Sequence, residues 1–176
     1  MKSDQQTSHL PDEVTVREFR RSDREWVQRA HVRHYTQVEK FDASFEQAVA
    51  AALDAFIADA EAPVNRGFIL ERNGQASGCV FCVEDRPGTA RLKLFYLESD
   101  LRGCGLGRAL LHRVFEHTKA QGYRHLLVST YSAHQAACAL YAKTGFTCIS
   151  EKPVVAYGRE LTEQTWLAAL DAATGG

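Results

Sequence analysis

The hydrophobic pattern in the N-terminal part of the chain predicts one strand followed by two helices. Residues 14–20 alternate apolar and polar side chains, which is typical of a strand. A helix to about Val38 follows the capping-box sequence Ser22-Asp-Arg-Glu25, and its inward positions are Trp26, Val27, Ala30 and Tyr35. A second helix opens at the similar box Ser44-Phe-Glu-Gln47 and ends before Pro63, with an apolar face of Phe45, Val49, Leu53, Phe56 and Ile57.

The middle of the chain changes to a strand pattern. Strands are predicted over residues 67–72, 75–85 and 90–98. The dipeptide Asn73-Gly74 is a strong hairpin signal, and Arg86-Pro-Gly-Thr89 predicts a second turn. These three strands therefore form an antiparallel meander.

The C-terminal part alternates helices and strands. A glycine-rich stretch opens a helix that Gly122 ends, with Leu106, Leu110, Leu111, Val114 and Phe115 on one face. A buried strand is predicted over residues 124–130, and the box Ser132-Ala-His-Gln135 opens a short helix that Gly145 ends. A strand over 146–150 and a last strand or hairpin over 154–170 follow. The element order predicts the α+β class, arranged as a three-layer α/β structure with a mixed sheet.

Length and charge limit the classes of function. With 176 residues we expect a single domain over 13–172 and a disordered polar tail over 1–12. A net charge of −1 gives no basic footprint for nucleic acid. No window resembles a membrane span, and the first residues lack the apolar core of a signal peptide, so a cytoplasmic location is expected.

The cysteines favour buried structural roles. Their odd number, 5, argues against a disulfide framework. Cys79 and Cys82 form a CxxC, but positions three apart on a strand point to opposite faces and no second ligand pair follows. His31 and His34 could share a metal on one helix, yet no third ligand is evident, so no metal is expected.

The glycine-rich stretch from Glu98 to Leu111 is the strongest candidate for a binding site. Gly103, Gly105 and Gly107 lie at alternate positions directly before a helix, where backbone N–H groups and the helix dipole favour an anion. Arg102 and Arg108 add positive charge at the rim. The stretch lacks the Gly-Lys-Ser/Thr of a Walker A loop, and its G-x-G-x-G spacing is not that of a dinucleotide fingerprint. A glycine-rich turn without a ligand remains the alternative.

Two motifs resemble the signatures of the GNAT superfamily of N-acetyltransferases. Arg102-Gly-Cys-Gly105-Leu-Gly107 is similar to R/Q-x-x-G-x-G/A, and Leu140-Tyr141-Ala-Lys-Thr-Gly145-Phe146 is similar to LYxxxGF. They lie at the family's usual separation, with a predicted strand and helix between them. The resemblance covers roughly residues 14–170 and implies a GNAT-like fold, with a mostly antiparallel sheet of six to seven strands and about four helices.

A closer resemblance concerns the run of the chain from residue 25 to residue 170. This run resembles the acetyltransferase half of MarR–GNAT fusion proteins, above all in the tail Tyr157-Gly158…Leu161…Gln164-Thr165-Trp166. In those proteins a winged helix-turn-helix domain precedes this half. Only about a dozen residues precede the first predicted strand here, so we expect a stand-alone relative without DNA binding.

The family resemblance implies acetyl-CoA as the co-substrate. Backbone amides of the loop would hold its pyrophosphate, the preceding strand end would pair with the pantetheine arm, and that strand and the 124–130 strand would splay to admit the thioester. His134 stands where many members have an asparagine that touches the pantetheine, although a surface position at the helix start is the alternative. The implied contacts are Tyr96, Leu97, Glu98, Arg102, Gly103, Cys104, Gly105, Leu106, Gly107, Arg108, His134 and Tyr141.

Acetyl transfer to an amine needs a proton acceptor, a donor that polarises the carbonyl and an acid for the leaving thiolate. By resemblance, Tyr141 is the acid and the backbone amide near Leu97 polarises the carbonyl; a half-buried tyrosine packing beside the cofactor is the alternative for Tyr141. The base is open among Glu39, Glu46, Glu84 and Glu98, with Glu39 preferred and a solvated surface charge as the alternative for each.

The acceptor is not determined by the sequence. Arg91 and Lys93 point to one side of a strand and would suit a substrate carboxylate, although an ordinary polar strand face is an equal alternative. The leading hypothesis is a small-molecule primary amine: an amino acid, a polyamine or an amine-bearing toxin. Acetylation of a protein or peptide, and a non-catalytic acyl-CoA-binding module, remain alternatives. The resemblance also makes a homodimer possible.

Overall fold

The computed structural model describes residues 13–171. The predicted tail over 1–12 and the last predicted domain residue, 172, lie outside the described residues. Seven strands form one sheet in the order β1-β2-β3-β4-β5-β7-β6. They are β1 (Val14–Glu18), β2 (Arg66–Arg72), β3 (Gln75–Arg86), β4 (Thr89–Leu97), β5 (His125–Tyr131), β6 (Phe146–Ala156) and β7 (Arg159–Ala169).

Four α-helices cover the two faces of the sheet. They are α1 (Arg24–Gln37), α2 (Ser44–Ala58), α3 (Leu106–Ala120) and α4 (Gln135–Lys143). Val27 of α1 and Leu53 of α2 belong to one apolar cluster, whereas Leu110 of α3 and Tyr141 of α4 belong to another. The helices therefore form an α1/α2 layer and an α3/α4 layer with the sheet between them, and the predicted α+β three-layer class is confirmed.

The predicted capping boxes are wrong in detail. Among the described residues, none of the side-chain cap bonds expected at Ser22, Ser44 and Ser132 forms at the helix starts. The Asp23 carboxylate instead accepts the Arg20 N–H at 2.7 Å, and the Asp42 carboxylate accepts the Ser44 N–H at 3.0 Å. At the first two helix starts a charged aspartate carboxylate is therefore the acceptor in place of a serine hydroxyl.

The first of the two C-terminal strands is longer than predicted. The strand predicted over 146–150 continues to Ala156 and pairs along its length with β7, through a turn at Tyr157-Gly158. The sequence prediction ended too early because Pro153 usually interrupts a strand. Pro153 lies here on β6, an edge strand of the sheet, and edge strands are where proline is tolerated.

Strands β4 and β5 pair in parallel for only part of their length. Thr89 to Leu92 pairs with His125 to Val128. Beyond that point β4 pairs with β3, and β5 pairs with β7. Leu94 has a φ of 49°, and the β3–β4 register shifts beside it, so β4 bulges where the pairing with β5 ends. We call the opening between residues 93–97 and 129–131 the splayed gap.

Candidate active site

The glycine loop connects β4 to α3 at the open end of the splayed gap. Gly103 and Gly105 have φ values of 79° and 83°, a conformation that glycine adopts without strain. Gly105 is the N-cap of α3, and a Cβ at either glycine would meet nothing within 4 Å. The first N–H groups of a helix lack intrahelical partners, so this loop is a cradle for an anion.

Gly107 has a different role from the two loop glycines. It lies within α3, where a Cβ would come 3.2 Å from Leu140 Cδ2 and 3.6 Å from Phe95 Cζ. Leu106 packs partly buried against the α3/α4-side cluster. These two residues fix the start of α3 against α4 and β4, and thereby hold the cradle in place.

Arg102 and Arg108 were predicted to add positive charge at the rim of the glycine loop, but both side chains bond backbone carbonyls instead. Arg102 Nε donates to the Leu97 carbonyl at 2.9 Å, and its guanidinium lies 5.9 Å from the centre of the Tyr96 ring. Arg108 donates to the Lys143 carbonyl at 3.4 Å, at the end of α4. Cys104 is exposed, and its thiol bonds the Leu101 carbonyl. Arg102 therefore braces the end of β4 rather than projecting at the rim.

The end of β4 is already bonded within the chain. The Leu97 carbonyl accepts from Arg102, and the Glu98 N–H donates to the Ser77 carbonyl at 2.9 Å. The Tyr96 hydroxyl bonds Glu98 at 3.1 Å, and its ring lies on the α1 side. Main-chain pairing with a pantetheine arm through the Leu97 carbonyl would therefore have to displace Arg102.

Tyr141 lies on the α3/α4 side of the sheet and is 3% exposed. Its ring packs 5.3 Å from Phe146 and 6.3 Å from Trp166, centroid to centroid. Burial, and to a smaller extent the Tyr35 phenol, raise the pKa of Tyr141 well above its usual value. The hydroxyl therefore stays protonated at neutral pH and is available as a donor.

Glu39 lies on the opposite side, in the loop between α1 and α2. Its carboxylate has His134 Nε2 at 3.4 Å from one oxygen and His34 Nε2 at 3.8 Å from the other. The sequence analysis assigned Glu39 and His134 to different roles. It considered His34 only together with His31, as metal ligands for a metal that was not expected. The α1–α2 loop brings all three together, and sequence spacing gave no signal of this because His134 comes from the start of α4.

The other candidate bases are occupied or remote from this cluster. Glu98 pairs with Arg33 at 3.1 Å in addition to its bond from Tyr96. Glu84 accepts from Tyr123 and lies near the turn at the far end of β3 and β4, while Glu46 is exposed on α2. Among the four candidates, Glu39 alone has two imidazoles on its carboxylate in the described part of the chain.

Of the two side chains predicted to bind a substrate carboxylate, Arg91 is already paired within the chain and Lys93 is exposed. Arg91 is held by Asp85 at 2.7 Å and by Ser129 at 2.8 Å, so its charge is already compensated. Lys93 is exposed beside the bulge of β4. A substrate carboxylate would therefore meet Lys93 more readily than Arg91.

The two buried cysteines lie on opposite faces of β3, as the strand period predicted. Cys79 belongs to the α1/α2-side cluster and Cys82 to the other. Burial raises the pKa of both thiols, that of Cys82 to about 12. Over residues 13–171 no group of three or more His, Cys, Asp or Glu side chains is placed to hold a metal ion.

Together these features define a class of protein: an α+β fold with an anion cradle at a helix start, next to a gap between two parallel strands that has titratable groups on both sides. The model of the acetyltransferase (GNAT) family matches residues 24–146. The chain belongs to this family, and the predicted membership of the GNAT superfamily is confirmed.

The sequence similarity to curated relatives covers about half of this chain. The chain is 31% identical over 85 residues, 48% of its length, to an IAA acetyltransferase of Azospirillum brasilense. It spans about half or less of the length of the curated relatives it matches, from 36% to 56%.

Solved structures match nearly the whole chain. An N-acetyltransferase from Staphylococcus aureus has a TM-score of 0.76 at 19% identity, covering 90% of this chain and 99% of that one. A phosphinothricin acetyltransferase from Sinorhizobium meliloti, in complex with acetyl-CoA, has a TM-score of 0.73 at 18% identity, covering 93% and 91%. At these identities the likeness concerns the fold. In the described part of the chain no helix is long and apolar enough to cross a membrane.

Proposed function

We propose that this protein transfers the acetyl group of acetyl-CoA to the primary amine of a small molecule: an amino acid, a polyamine or an amine-bearing toxin. The observation that carries the proposal is the anion cradle at the start of α3, which opens onto the splayed gap between β4 and β5. The names of two similar proteins, the IAA acetyltransferase and the phosphinothricin acetyltransferase, support a small-molecule acceptor.

Acetyl-CoA would lie with its pyrophosphate on the glycine loop and its pantetheine arm along the gap. The open space above Gly103 and Gly105 supports this placement. The loop amides from Arg102 to Arg108 would bind the phosphates, and the edge of β4 would align the arm at Tyr96, Leu97 and Glu98, with His134 on the opposite wall. The acetyl carbonyl would then lie near the β4 bulge, where a backbone N–H can stabilise developing negative charge.

In this arrangement the acid and the base act from opposite sides of the sheet. Tyr141 would give its hydroxyl proton to the CoA thiolate from the α3/α4 side, and Glu39 would serve the amine from the α1/α2 side. The neutral amine attacks the thioester carbon, the C–N bond forms, and the C–S bond breaks. A free amine with a pKa of about 10.4 is mostly protonated at neutral pH, so removal of its proton is required.

The first test is a thiol-release assay with acetyl-CoA and a panel of amino acids, polyamines and amine-bearing antibiotics. We expect at least one amine to release thiol at a rate that saturates. Release with peptide α-amines alone would move the acceptor class to peptides. The absence of release with every amine, at an acetyl-CoA concentration that raises the unfolding temperature, would favour a non-catalytic acyl-CoA-binding module.

The Tyr141→Phe variant tests the acid. We expect kcat to fall by about 100-fold or more, since general acid catalysis contributes about 10² to 10⁴. Acetyl-CoA affinity and stability should change little, because phenylalanine keeps the packing against Phe146 and Trp166. Tyr123→Phe, whose hydroxyl bonds Glu84 at the surface, is the matched control. Full turnover by Tyr141→Phe would remove the acid assignment.

Three finer properties belong to the same proposal. We place the protein closest to the acetyltransferase half of MarR–GNAT fusion proteins, on the strength of the sequence over 141–170. We expect a cytoplasmic enzyme that binds neither nucleic acid nor membrane and needs no metal. A homodimer is also part of the proposal, and the molar mass in solution would test it.

A further inference from the structure

The carboxylate of Glu39 bridges two imidazoles that stand on the two walls of the splayed gap. His34 packs 6.1 Å from the Tyr96 ring of β4, centroid to centroid. The His134 ring packs 5.7 Å from the Tyr131 ring at the end of β5, centroid to centroid. The backbone N–H of His134 donates to the Tyr131 carbonyl at 2.9 Å. Each imidazole faces the carboxylate with Nε2. The three groups therefore close the α1/α2 side of the gap as one chain of titratable groups.

The bridge is partly shielded from water. The side chains of His34, Glu39 and His134 are 20%, 23% and 17% exposed. The loop that carries Glu39 is fixed by Arg159 of β7, whose Nη1 donates to the Glu39 carbonyl at 2.5 Å. The other charged or titratable groups that face the bridge are Arg102 from the glycine loop and the phenols of Tyr35, Tyr96 and Tyr131.

These surroundings keep His34 neutral. Burial and the Arg102 charge lower the pKa of His34, and the opposing effect of Glu39 does not fully compensate for them. A neutral imidazole keeps one ring nitrogen as a proton acceptor. The bridge thus contains an imidazole lone pair at neutral pH.

We propose that His34, Glu39 and His134 together form the proton-accepting group for the acceptor amine, with the imidazoles as the bases and Glu39 as the carboxylate that couples them. This inference rests on the proposed function and replaces Glu39 as a sole base. A carboxylate with an ordinary pKa of about 4.3 is a weak base for an ammonium, whereas an imidazole near 6.5 is matched to neutral pH.

The protons balance over the reaction. The ammonium gives one proton to a ring nitrogen of an imidazole, which later releases it to solvent. The amine lone pair then forms the C–N bond, and collapse of the tetrahedral adduct breaks the C–S bond. The CoA thiolate takes a proton from the Tyr141 hydroxyl. The nitrogen loses its second proton as it becomes an amide, and this proton restores the Tyr141 hydroxyl. The net products are the acetylated amine, CoA thiol and one proton in solution.

Imidazole NMR titrations of the ligand-free protein test the coupling directly. Because Glu39 raises the pKa of His34, Glu39→Gln should lower the titration midpoint of His34. The matched control is Glu116→Gln, which removes the carboxylate of an exposed His112–Glu116 pair at 3.2 Å on α3. It should leave the titration midpoint of His34 unchanged. An unchanged titration midpoint of His34 in a folded Glu39→Gln protein would overturn the proposal.

Kinetics with the best amine of the panel test the role in catalysis. Wild-type kcat/KM should fall as pH drops through the imidazole midpoints, because a protonated imidazole accepts no proton. In Glu39→Gln we expect kcat to fall about 10-fold or more and the acidic limb to move to lower pH. His34→Asn and His134→Asn should also move the acidic limb, and His34→Asn should leave KM for acetyl-CoA unchanged. A limb unmoved in both variants would overturn the proposal.

The two proposals fail in different ways. If acetyl-CoA gives no increase in unfolding temperature and no amine releases thiol, the proposed function fails, and the NMR titrations still decide whether the bridge is coupled. If acetyl-CoA binds and an amine is acetylated, but Glu39→Gln keeps the wild-type rate and pH profile, the function stands and the bridge is not the base.

Discussion

Two histidines on α1, three residues apart, have different environments. His34 faces the Glu39 carboxylate, whereas His31 is 3% exposed and packs among the rings of Tyr35 and Tyr96. His31 Nδ1 lies 2.8 Å from the Val27 carbonyl oxygen, and Nε2 is buried without a hydrogen-bond partner in the described part of the chain. Burial lowers the pKa of His31 to about 4. His31 is therefore a neutral part of the core and adds no charge to the bridge.

His31 makes stability depend on pH. The unfolded chain takes up a proton on this histidine below its ordinary pKa of about 6.5, while the folded protein does not until about pH 4, so stability falls as pH drops through this interval. By pH 4.5 the loss from His31 should reach about 2 to 3 kcal/mol. His31→Phe keeps an aromatic ring and should remove this part of the dependence. The measurement is urea unfolding of both proteins at pH 7 and 4.5.

The comparison between the two proteins isolates His31 from the carboxylates that also titrate in this range. The control is His112→Phe at the exposed pair on α3, which should leave the wild-type dependence in place. If the free energy of unfolding changes equally with pH in the wild type and in His31→Phe, His31 is not the source of this pH dependence.

At the scale of elements, the sequence predicted the strands, the helices and the glycine loop because periodicity and turn residues are local signals. The bulge at Leu94 and the β6–β7 hairpin through Pro153 depend on neighbouring strands, which no local pattern reveals. The same holds for the site. Tyr141 was proposed from its motif, whereas the contact of His134 with Glu39 arises from packing between α4 and the α1–α2 loop. Arg102 was misplaced because its direction depends on the Leu97 carbonyl.

The β6–β7 turn positions the loop that carries Glu39. Gly158 has a φ of 77°, and a Cβ there would lie 2.9 Å from Asp42 Oδ2. The Asp42 N–H donates to the Tyr157 carbonyl at 3.0 Å. Gly158→Ala should therefore cost about 1 kcal/mol from the left-handed backbone and more from displacing Asp42, and amine turnover should fall. Chemical denaturation and thiol release measure the two effects.

Gly88 offers a matched control for that change. Its φ is 81°, and a Cβ would meet nothing within 4 Å. Gly88→Ala should show the backbone cost alone and keep the wild-type turnover. If both variants lose the same stability and activity, the turn does not hold the loop.

Over the whole molecule, the sheet separates the two halves of the proposed reaction. The glycine loop and Tyr141 lie with α3 and α4, whereas the bridge at Glu39 lies with α1 and α2. The splayed gap is where the sheet allows the two sides to meet, and the influence of the Tyr35 phenol on the pKa of Tyr141 crosses it. A donor bound from one side and an acceptor bound from the other would react within the gap, which is the arrangement that direct transfer in a ternary complex requires.

Binding of acetyl-CoA should stabilise this whole arrangement. At about 100 times its dissociation constant, a ligand that binds only the folded state adds roughly 2.7 kcal/mol, or about 5 to 10 °C in unfolding temperature for a domain of this size. Gly105→Ala places a Cβ on a left-handed residue at the start of α3, so the shift should shrink. Gly74→Ala carries the same left-handed strain in the β2–β3 hairpin, with nothing within 4 Å, and should keep the full shift. Equal shifts in both variants would place the phosphates away from the glycine loop, and no shift in the wild type would refute acetyl-CoA as the ligand.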